Sequence, residues 1–327
     1  MLALALAAIA PLTAAAAAEP HLLFVDGQEI AEMDPRLKLR MQLPAKGERV
    51  LTPTEPWESW AVFAYNSVVP GSGSRPHRMY YDCIEGDGVP PGAADDDVAA
   101  SEAGRTADIS HRRICLAEST DGVAWTKPNL GIFARNGSTA NNILLEDSGN
   151  SVFQDADGSW KMVCSTAAYK SPDGLHWTKL PFAPVAEDDT KPTAYWDPQL
   201  RKYVVSVRRD CGSGCVTVDG EPVTHASCPE CVRYVGRCVT SNISNWQEEV
   251  HGGSGCPVVF GPDHADPARV DVYTNAWTPY PSVEAPVVHL FFPSMYHHFT
   301  SSAPFGFGND GLLDIRLVVS RDGAHGK

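Results

Sequence analysis

Positive charge is scarce in this sequence. Lys and Arg number 26 against 40 Asp and Glu, giving a formal net charge of -14 and a pI near 5.2. A surface of that sign repels phosphate backbones, so nucleic acid is excluded as a partner. Long apolar runs are also missing. Beyond residue 20 none approaches the ~18 residues that a membrane helix needs, so no membrane span is expected. Outside residues 28–42, no 3.6-residue period lasts beyond two turns. There is no Gly-rich phosphate loop, no Ser nucleophile elbow and no His-Glu-x-x-His helix. No cofactor and no metal site are therefore expected.

One apolar stretch does occur, at the start. "MLALALAAIAPLTAAAAAEP" has the apolar core and Ala-x-Ala end of a signal peptide over residues 1–18, without the usual basic residue before it. A misassigned start or an alanine tract is the alternative. The signal peptide makes the protein secreted, with an N-terminal extension over 19–50. Nine cysteines suit an exported chain, where disulfides persist. Five of them (Cys211, Cys215, Cys228, Cys231 and Cys238) crowd together. The spacing of the first four fits two disulfides stapling a loop, or a zinc ribbon, and export favours the disulfides. The odd total leaves at least one thiol free or paired to another chain. Sequons at Asn136 and Asn242 suit surface glycosylation.

From residue 51 onward the chain reads as short strands. "WAVFAYNSVV", "HRMYYDCI", "RRICLAES", "WKMVCST", "KYVVSVRR", "VRYVGRCVT", "VDVYTNAW" and "VVHLFFPSMYH" are rich in β-branched and aromatic residues and bounded by turn residues. One turn recurs. "STDGVAWTK" (119–127) and "SPDGLHWTKL" (171–180) share Ser-x-Asp-Gly-x-x-Trp-Thr-Lys. "TSNISNWQEE" (240–249) keeps the Trp, and "SRDGAHGK" (320–327) keeps the turn. Asp-Gly is hairpin chemistry, since Gly adopts positive φ and Asp bonds the backbone ahead of it. Asp121, Asp173 and Asp322 therefore read as turn acids. "VFQDADGSWKMVCS" and "AYWDPQLRKYVVSV" read as a second recurring hairpin, the first of each unit. Units of fifty to eighty residues with about four strands each describe propeller blades. "NNILL", "PTAYWD" and "DVYTNAW" are expected on the axis. Residues 85–110 and 210–231 break the pattern and read as insertions.

The segments "CLAESTDGVAWTKPNLGIFARNGSTANNILLED", "PWESWAVFAYNSV", "DTKPTAYWDPQLRKYVVSVR", "VYTNAWTPYP", "LFFPSMYHHF" and "DIRLVVSRDG" resemble secreted propeller proteins related to glycoside hydrolase families 32 and 43. The resemblance covers roughly residues 50–323. It implies an all-β, five-bladed β-propeller over 51–327 acting on a carbohydrate. About four blades are evident, and the chain ends inside a hairpin, which suggests a truncated or divergent product. The hairpin differs from the sialidase Asp box, which has one more residue between Asp and Gly. The Trp-x-Asn-Asp-Pro-Asn-Gly and Arg-Asp-Pro segments of family 32 are absent, so no nucleophile transfers by motif.

Glycoside hydrolysis needs two carboxyl groups across the scissile bond. Acids beside inner strands are the candidates: Glu58 between Trp57 and Trp60, Asp189 before "TAYWD", and Asp271 opening "DVYTNAW". Trp57 and Trp60 could stack on a sugar ring, and Asn142, Asn275, Tyr296 and His297 could bind hydroxyls. Adjacent His297 and His298 must point to opposite faces of a strand. The expected function is a secreted glycoside hydrolase-like protein with axial carboxylates. A non-catalytic carbohydrate-binding propeller, or a protein-binding one, is the alternative.

Overall fold

A computed structural model of the chain describes residues 30–86, 109–181, 191–210, 217–222, 233–246, 256–280, 288–298 and 311–325, apart from scattered positions within those spans. The signal peptide, most of both insertions, Asp189 and Cys211 to Cys231 lie outside the described residues.

A single 3-10 turn, Pro56–Glu58, leads into the first sheet. That sheet runs β1 (Ala61–Val69), β2 (His77–Gly86), β3 (Ile109–Ser119) and β4 (Ile143–Leu145), in order. The second runs β5 (Ser151–Gln154), β6 (Trp160–Val163), β7 (Ala168–Ser171) and β8 (Thr178–Lys179). In the third, β9 (Thr193–Asp197) and β10 (Lys202–Asp210) are followed by a two-strand hairpin, β11 (Thr217–Val218) and β12 (Glu221–Pro222). The sheet then continues with β13 (Arg233–Thr240) and β14 (Val258–Phe260). The fourth holds β15 (Val270–Tyr280), β16 (Val288–His298), β17 (Gly311–Ile315) and β18 (Val318–Ser320). There β17 and β18 both pair with β16 and share one strand position.

Local chemistry explains the turns. At the β9–β10 hairpin, Asp197 Oδ1 accepts the N–H groups of Gln199 and Leu200, each at 2.9 Å, and Arg201 takes a positive φ of 53°. The recurring Ser-x-Asp-Gly turn closes the third strand position of the first, second and fourth sheets. Asp121 Oδ1 accepts the N–H of Val123 and Ala124 at 2.8 Å, and Ser119 Oγ accepts that of Gly122 at 2.9 Å. Ser171 with Asp173, and Asp322 in the last sheet, repeat this pattern. In the third sheet Asn242 replaces the acid and accepts the Ser244 N–H at 3.0 Å. The turn is scaffold, one copy per sheet.

The first strands of successive sheets touch: β1 meets β5, β5 meets β9, and β9 meets β15. Hydroxyls stitch them together. Ser67 donates to the Asn150 carbonyl at 3.1 Å, Ser151 to that of Ala194 at 3.1 Å, and Thr193 to that of Asn275 at 2.8 Å. Cores fill the spaces between neighbouring sheets: Tyr80, Leu116, Trp160 and Met162 between the first two, Val163, Val205 and Trp246 between the next, and Val235, Val272 and Met295 between the last. The result is an all-β, four-bladed propeller arrangement.

One expectation needs correction. The strand "NNILL" is not axial, because β4 is the outer edge of the first sheet, and β5 ("SVFQ") holds the inner position of the second. Cys238 pairs with Cys256, and a second disulfide joins Cys83 to Cys115 across β2 and β3; the loop disulfides expected among Cys211, Cys215, Cys228 and Cys231 lie outside the described residues. Four blades are described where five were expected. The face of the first sheet turned away from the second is covered by Leu51, Trp57, Trp125 and Phe133 from the chain's own flanking segments.

Candidate functional site

The first strands begin at one end of the axis, and polar side chains gather there. Both β1 and β15 are bulged at this level, between Phe63 and Ser67 and between Val272 and Thr274. A bulge breaks the ladder and releases backbone groups for other partners. The Tyr65 carbonyl accepts Asn150 Nδ2 at 3.1 Å, and the Asn66 carbonyl accepts the Lys191 ammonium.

Asp82 lies beside these groups on β2, fully buried. Its oxygens accept the Gly149 N–H at 2.9 Å and Asn150 Nδ2 at 3.2 Å. Burial pushes the Asp82 pKa up to about 7, although those hydrogen bonds and the charges of Lys191 and Arg112 oppose it. Burial likewise lowers Lys191 to about 8, opposed by the charge of Asp82. Desolvation penalises the charged form of either sign, so an acid and a base both titrate near neutrality.

Lys191 also lines a small cavity with Ser206, Arg208, Tyr234, Thr274 and Asn275. Its enclosed part is about 10 Å3, the space of one water. Ser206 Oγ and both side-chain amide atoms of Asn275 are buried there without a hydrogen-bond partner, as is Asn150 Oδ1 nearby. Each unpaired buried group costs ~1–3 kcal/mol, which a polar ligand or water would recover.

The sequence candidates fall into two separate groups. Glu58, Trp57 and Asn142 meet on the far face of the first sheet. Trp57 Nε1 donates to Asn142 Oδ1 at 2.8 Å, Asn142 Nδ2 donates to the Tyr81 hydroxyl at 2.7 Å, and Tyr81 donates to Glu58 Oε1 at 2.6 Å. Glu58 Oε2 accepts Lys127 Nζ at 2.5 Å and the N–H groups of Thr54 and Glu55. With no exposed surface and both oxygens engaged, Glu58 ties the 54–60 segment to the sheet. Trp60 is half-buried and packs against Gly86, where an added Cβ would meet its ring at 3.0 Å.

Asp271 and Tyr296 face each other across β15 and β16, with His297 one pair along. Asp271 Oδ2 accepts Arg233 Nε at 2.7 Å and lies 3.2 Å from His298 Nε2, while its Oδ1 has no partner. The Arg233 guanidinium lies over the rings of Tyr273 and Tyr296, 5.3 and 5.4 Å from their centroids. His297 turns to the other face and sits 2.8 Å from Asp314 Oδ2. Among the described candidates, Asn275 alone lines this cavity between the third and fourth sheets. Asp189, two residues before Lys191, lies outside the described residues.

Asp82, Asn150, Lys191 and Ser206 escaped the sequence reading. Asp82 did leave a signal, as one acid inside the otherwise apolar and aromatic run Met79 to Ile84. The others are ordinary strand or loop residues whose neighbours come from distant sequence.

No family model and no curated protein matches the chain. Among solved structures it is similar to the α-L-arabinanase of Cellvibrio cellulosa, at 8% identity and a TM-score of 0.47 over 83% of this chain and 79% of that one. It is similar to a structure from the GH130 family of mannoside phosphorylases, which contains glycoside hydrolases that target β-1,2 mannosidic linkages in Candida mannan. That match has 13% identity and a TM-score of 0.47 over 87% and 77% of the two chains. A glycosyl hydrolase from Bacteroides ovatus matches at 11% identity and a TM-score of 0.46, over 84% and 70%.

Proposed function

We propose that this chain is an exported, carbohydrate-acting propeller of glycoside-hydrolase type, binding a polysaccharide or oligosaccharide at the end of its axis. The observation that carries this reading is the group of buried, unpartnered polar atoms of Asn275 and Ser206 around the small cavity between the third and fourth sheets, with Asp82 acting by charge on its wall residue Lys191. Sugar hydroxyls donate and accept together, which suits an amide and a hydroxyl left unpaired. Two disulfides support export.

Asp82 is the candidate general acid, because burial leaves a good share of it protonated near neutrality. Asp271, with one oxygen unpartnered, and Asp189, just ahead of Lys191, are the candidate second carboxyls. Trp60, Tyr296 and His297 remain candidates for the outer subsites. We assign Glu58, with Trp57 and Asn142, to structure.

A non-catalytic carbohydrate-binding role is the second reading. It is favoured by the ion pair that engages Asp271 with Arg233. Measuring reducing ends released from arabinans, fructans, xylans and acidic glycans separates the two. Release abolished by D82N or D271N in folded protein supports hydrolysis. Binding without release supports the second reading, and neither binding nor release rejects both.

A further inference from the structure

We propose that an open pocket between the first and second sheets is a second glycan site, holding one neutral sugar unit away from the axial site; this rests on the carbohydrate reading above. Three turns build its wall: the β1–β2 loop, the β5–β6 turn and the Ser-x-Asp-Gly turn that ends β7. All three lie where β1 and β5 end, opposite the end at which Asn150 and Lys191 precede their strands. The cavity holds about 260 Å3, and Pro70, Arg75, Gln154 and Pro172 on its wall are exposed, so it opens to solvent.

The wall is set before any ligand arrives. Arg78 is fixed on three sides: Nε donates to Glu118 Oε1 at 3.0 Å, Nη1 donates to the Asp173 carbonyl at 2.6 Å, and the guanidinium lies 5.7 Å from the Trp160 ring centroid. Tyr80 donates to the Gly174 carbonyl at 3.1 Å, tying the same turn to the first sheet. In the β1–β2 loop the Gly71 N–H donates to His77 Nδ1 at 3.1 Å, and Pro70 and Pro76 restrict the backbone around it. A wall held in this way loses little entropy when a ligand binds.

Donors and acceptors are both left over. Arg75 spends one N–H on Ser72 Oγ at 2.6 Å; the rest of its guanidinium and the Gln154 amide have no partner among the described residues. Asp173 adds a carboxylate. Burial raises its pKa, but hydrogen bonds from His176, Leu175 and Ser171 outweigh this and hold it well below the usual carboxylate range. Charge on the wall is balanced, since Arg78 pairs with Glu118 and the Asp173 charge offsets that of Arg75. An anion can only accept, and it meets the negative Asp173. A sugar hydroxyl accepts from Arg75 and donates to the amide oxygen or the carboxylate. Pro70, Pro76 and Pro172 offer apolar surface to the C–H groups of the ring. Sites that bury a drug-sized ligand run to ~300–1,000 Å3, so this smaller space takes one sugar unit while the rest of the glycan leaves through the open mouth.

The test is calorimetric binding of neutral arabinan, fructan and xylan oligosaccharides to the full chain and to the double variant Arg75→Ala, Gln154→Ala. Both side chains are exposed, and circular dichroism establishes that the variant folds. The wild type is expected to bind one of these glycans at a second site besides the axial one. The variant should weaken that site about tenfold or more, with release from short oligosaccharides unchanged. Crystals soaked with the bound oligosaccharide should show a sugar ring beside Arg75 and Gln154, a check that needs no variant. Unchanged binding in the variant, or sugar seated only at the axial end, overturns this inference and leaves the carbohydrate reading standing. Oligogalacturonate binding lost in the variant while neutral glycans bind as before also overturns it, by making the ligand an anion. If the wild type binds none of the neutral probes, this inference fails. If it also neither binds nor cleaves acidic glycans, the carbohydrate reading falls with it.

Discussion

The Tyr81 hydroxyl donates to Glu58 Oε1 across 2.6 Å, with both groups buried under Trp57 and the opposite carboxylate oxygen held by Lys127. Burial, then the adjacent Glu58 charge, pushes the Tyr81 pKa well up, so the phenol stays a neutral donor. Replacing Glu58 by Ala strands a largely buried ammonium and should cost ~3–5 kcal/mol. Tyr81→Phe removes one hydrogen bond and should cost ~1–3 kcal/mol. Urea unfolding of both variants and of the double variant measures their coupling, which should be clearly non-additive. A folded Glu58→Gln variant of wild-type stability that has lost all glycan release would instead make this acid catalytic.

Gly122 and Gly174 occupy equivalent hairpins at φ values of 74° and 76°, but in different surroundings. A Cβ at Gly122 meets nothing within 4 Å, while one at Gly174 falls 2.7 Å from the Tyr80 hydroxyl oxygen and 3.0 Å from the Trp160 ring. Gly122→Ala should cost ~1 kcal/mol for the positive φ alone. Gly174→Ala should cost more, because the Tyr80 and Trp160 packing between the first two sheets has to shift. Similar denaturation midpoints for the two variants would show that the second hairpin stands away from the first sheet.

Asp82 gives a pH signature. Its folded pKa of about 7 lies above the ordinary 3.8, so the native state binds the extra proton between those values. Its contribution to stability is therefore largest in acid and declines as pH rises from about 4 to about 7. Melting curves across that range should show the wild type losing stability relative to Asp82→Asn. A constant difference between the two would mean that Asp82 is solvated.

Glu85 acts in the opposite direction. The Arg135 hydrogen bond, helped by Arg113 and opposed by burial, lowers its pKa from 4.5 to about 2. The native state binds fewer protons here, so this stabilisation is present above about 4.5 and fades as pH falls toward 2. Glu85→Gln should flatten the acid limb of the stability profile, read from urea unfolding between about pH 2 and 4.5.

Cysteine chemistry offers a direct check of the fold. A non-reducing peptide map should recover Cys83 linked to Cys115 and Cys238 linked to Cys256. Cys164 should resist alkylation until denaturant is added, because it is buried and burial raises its pKa. Loss of the Cys83–Cys115 link closing 32 residues should cost ~3–4 kcal/mol in the chain-entropy account. Rapid labelling of Cys164 in the native state would contradict the packing between the first two sheets.

The strands, the two recurrent hairpins and the all-β propeller class were readable before any coordinates, because each depends on neighbours a few residues away. Ser171, Asp173 and Gly174 bond one another and the next two amides wherever the chain goes. Strand order within the blades was harder. "NNILL" has the apolar character of an inner strand, yet β4 lies outermost, since apolar content reports burial and not which face does the burying. The acids were harder still. Glu58 between two tryptophans looks like a sugar subsite, and Asp82 inside an apolar run looks like core.

Sequence alone therefore determined the local turns, the strand content and the repeating unit, whose hydrogen bonds span two to five residues. Tertiary structure decided which groups share a site. Lys191 meets Asn66 from 125 positions away, and Lys127 meets Glu58 from 69. A charge's chemistry follows from what surrounds it. Those surroundings come from the packing of successive sheets around the axis, which no short stretch of residues encodes.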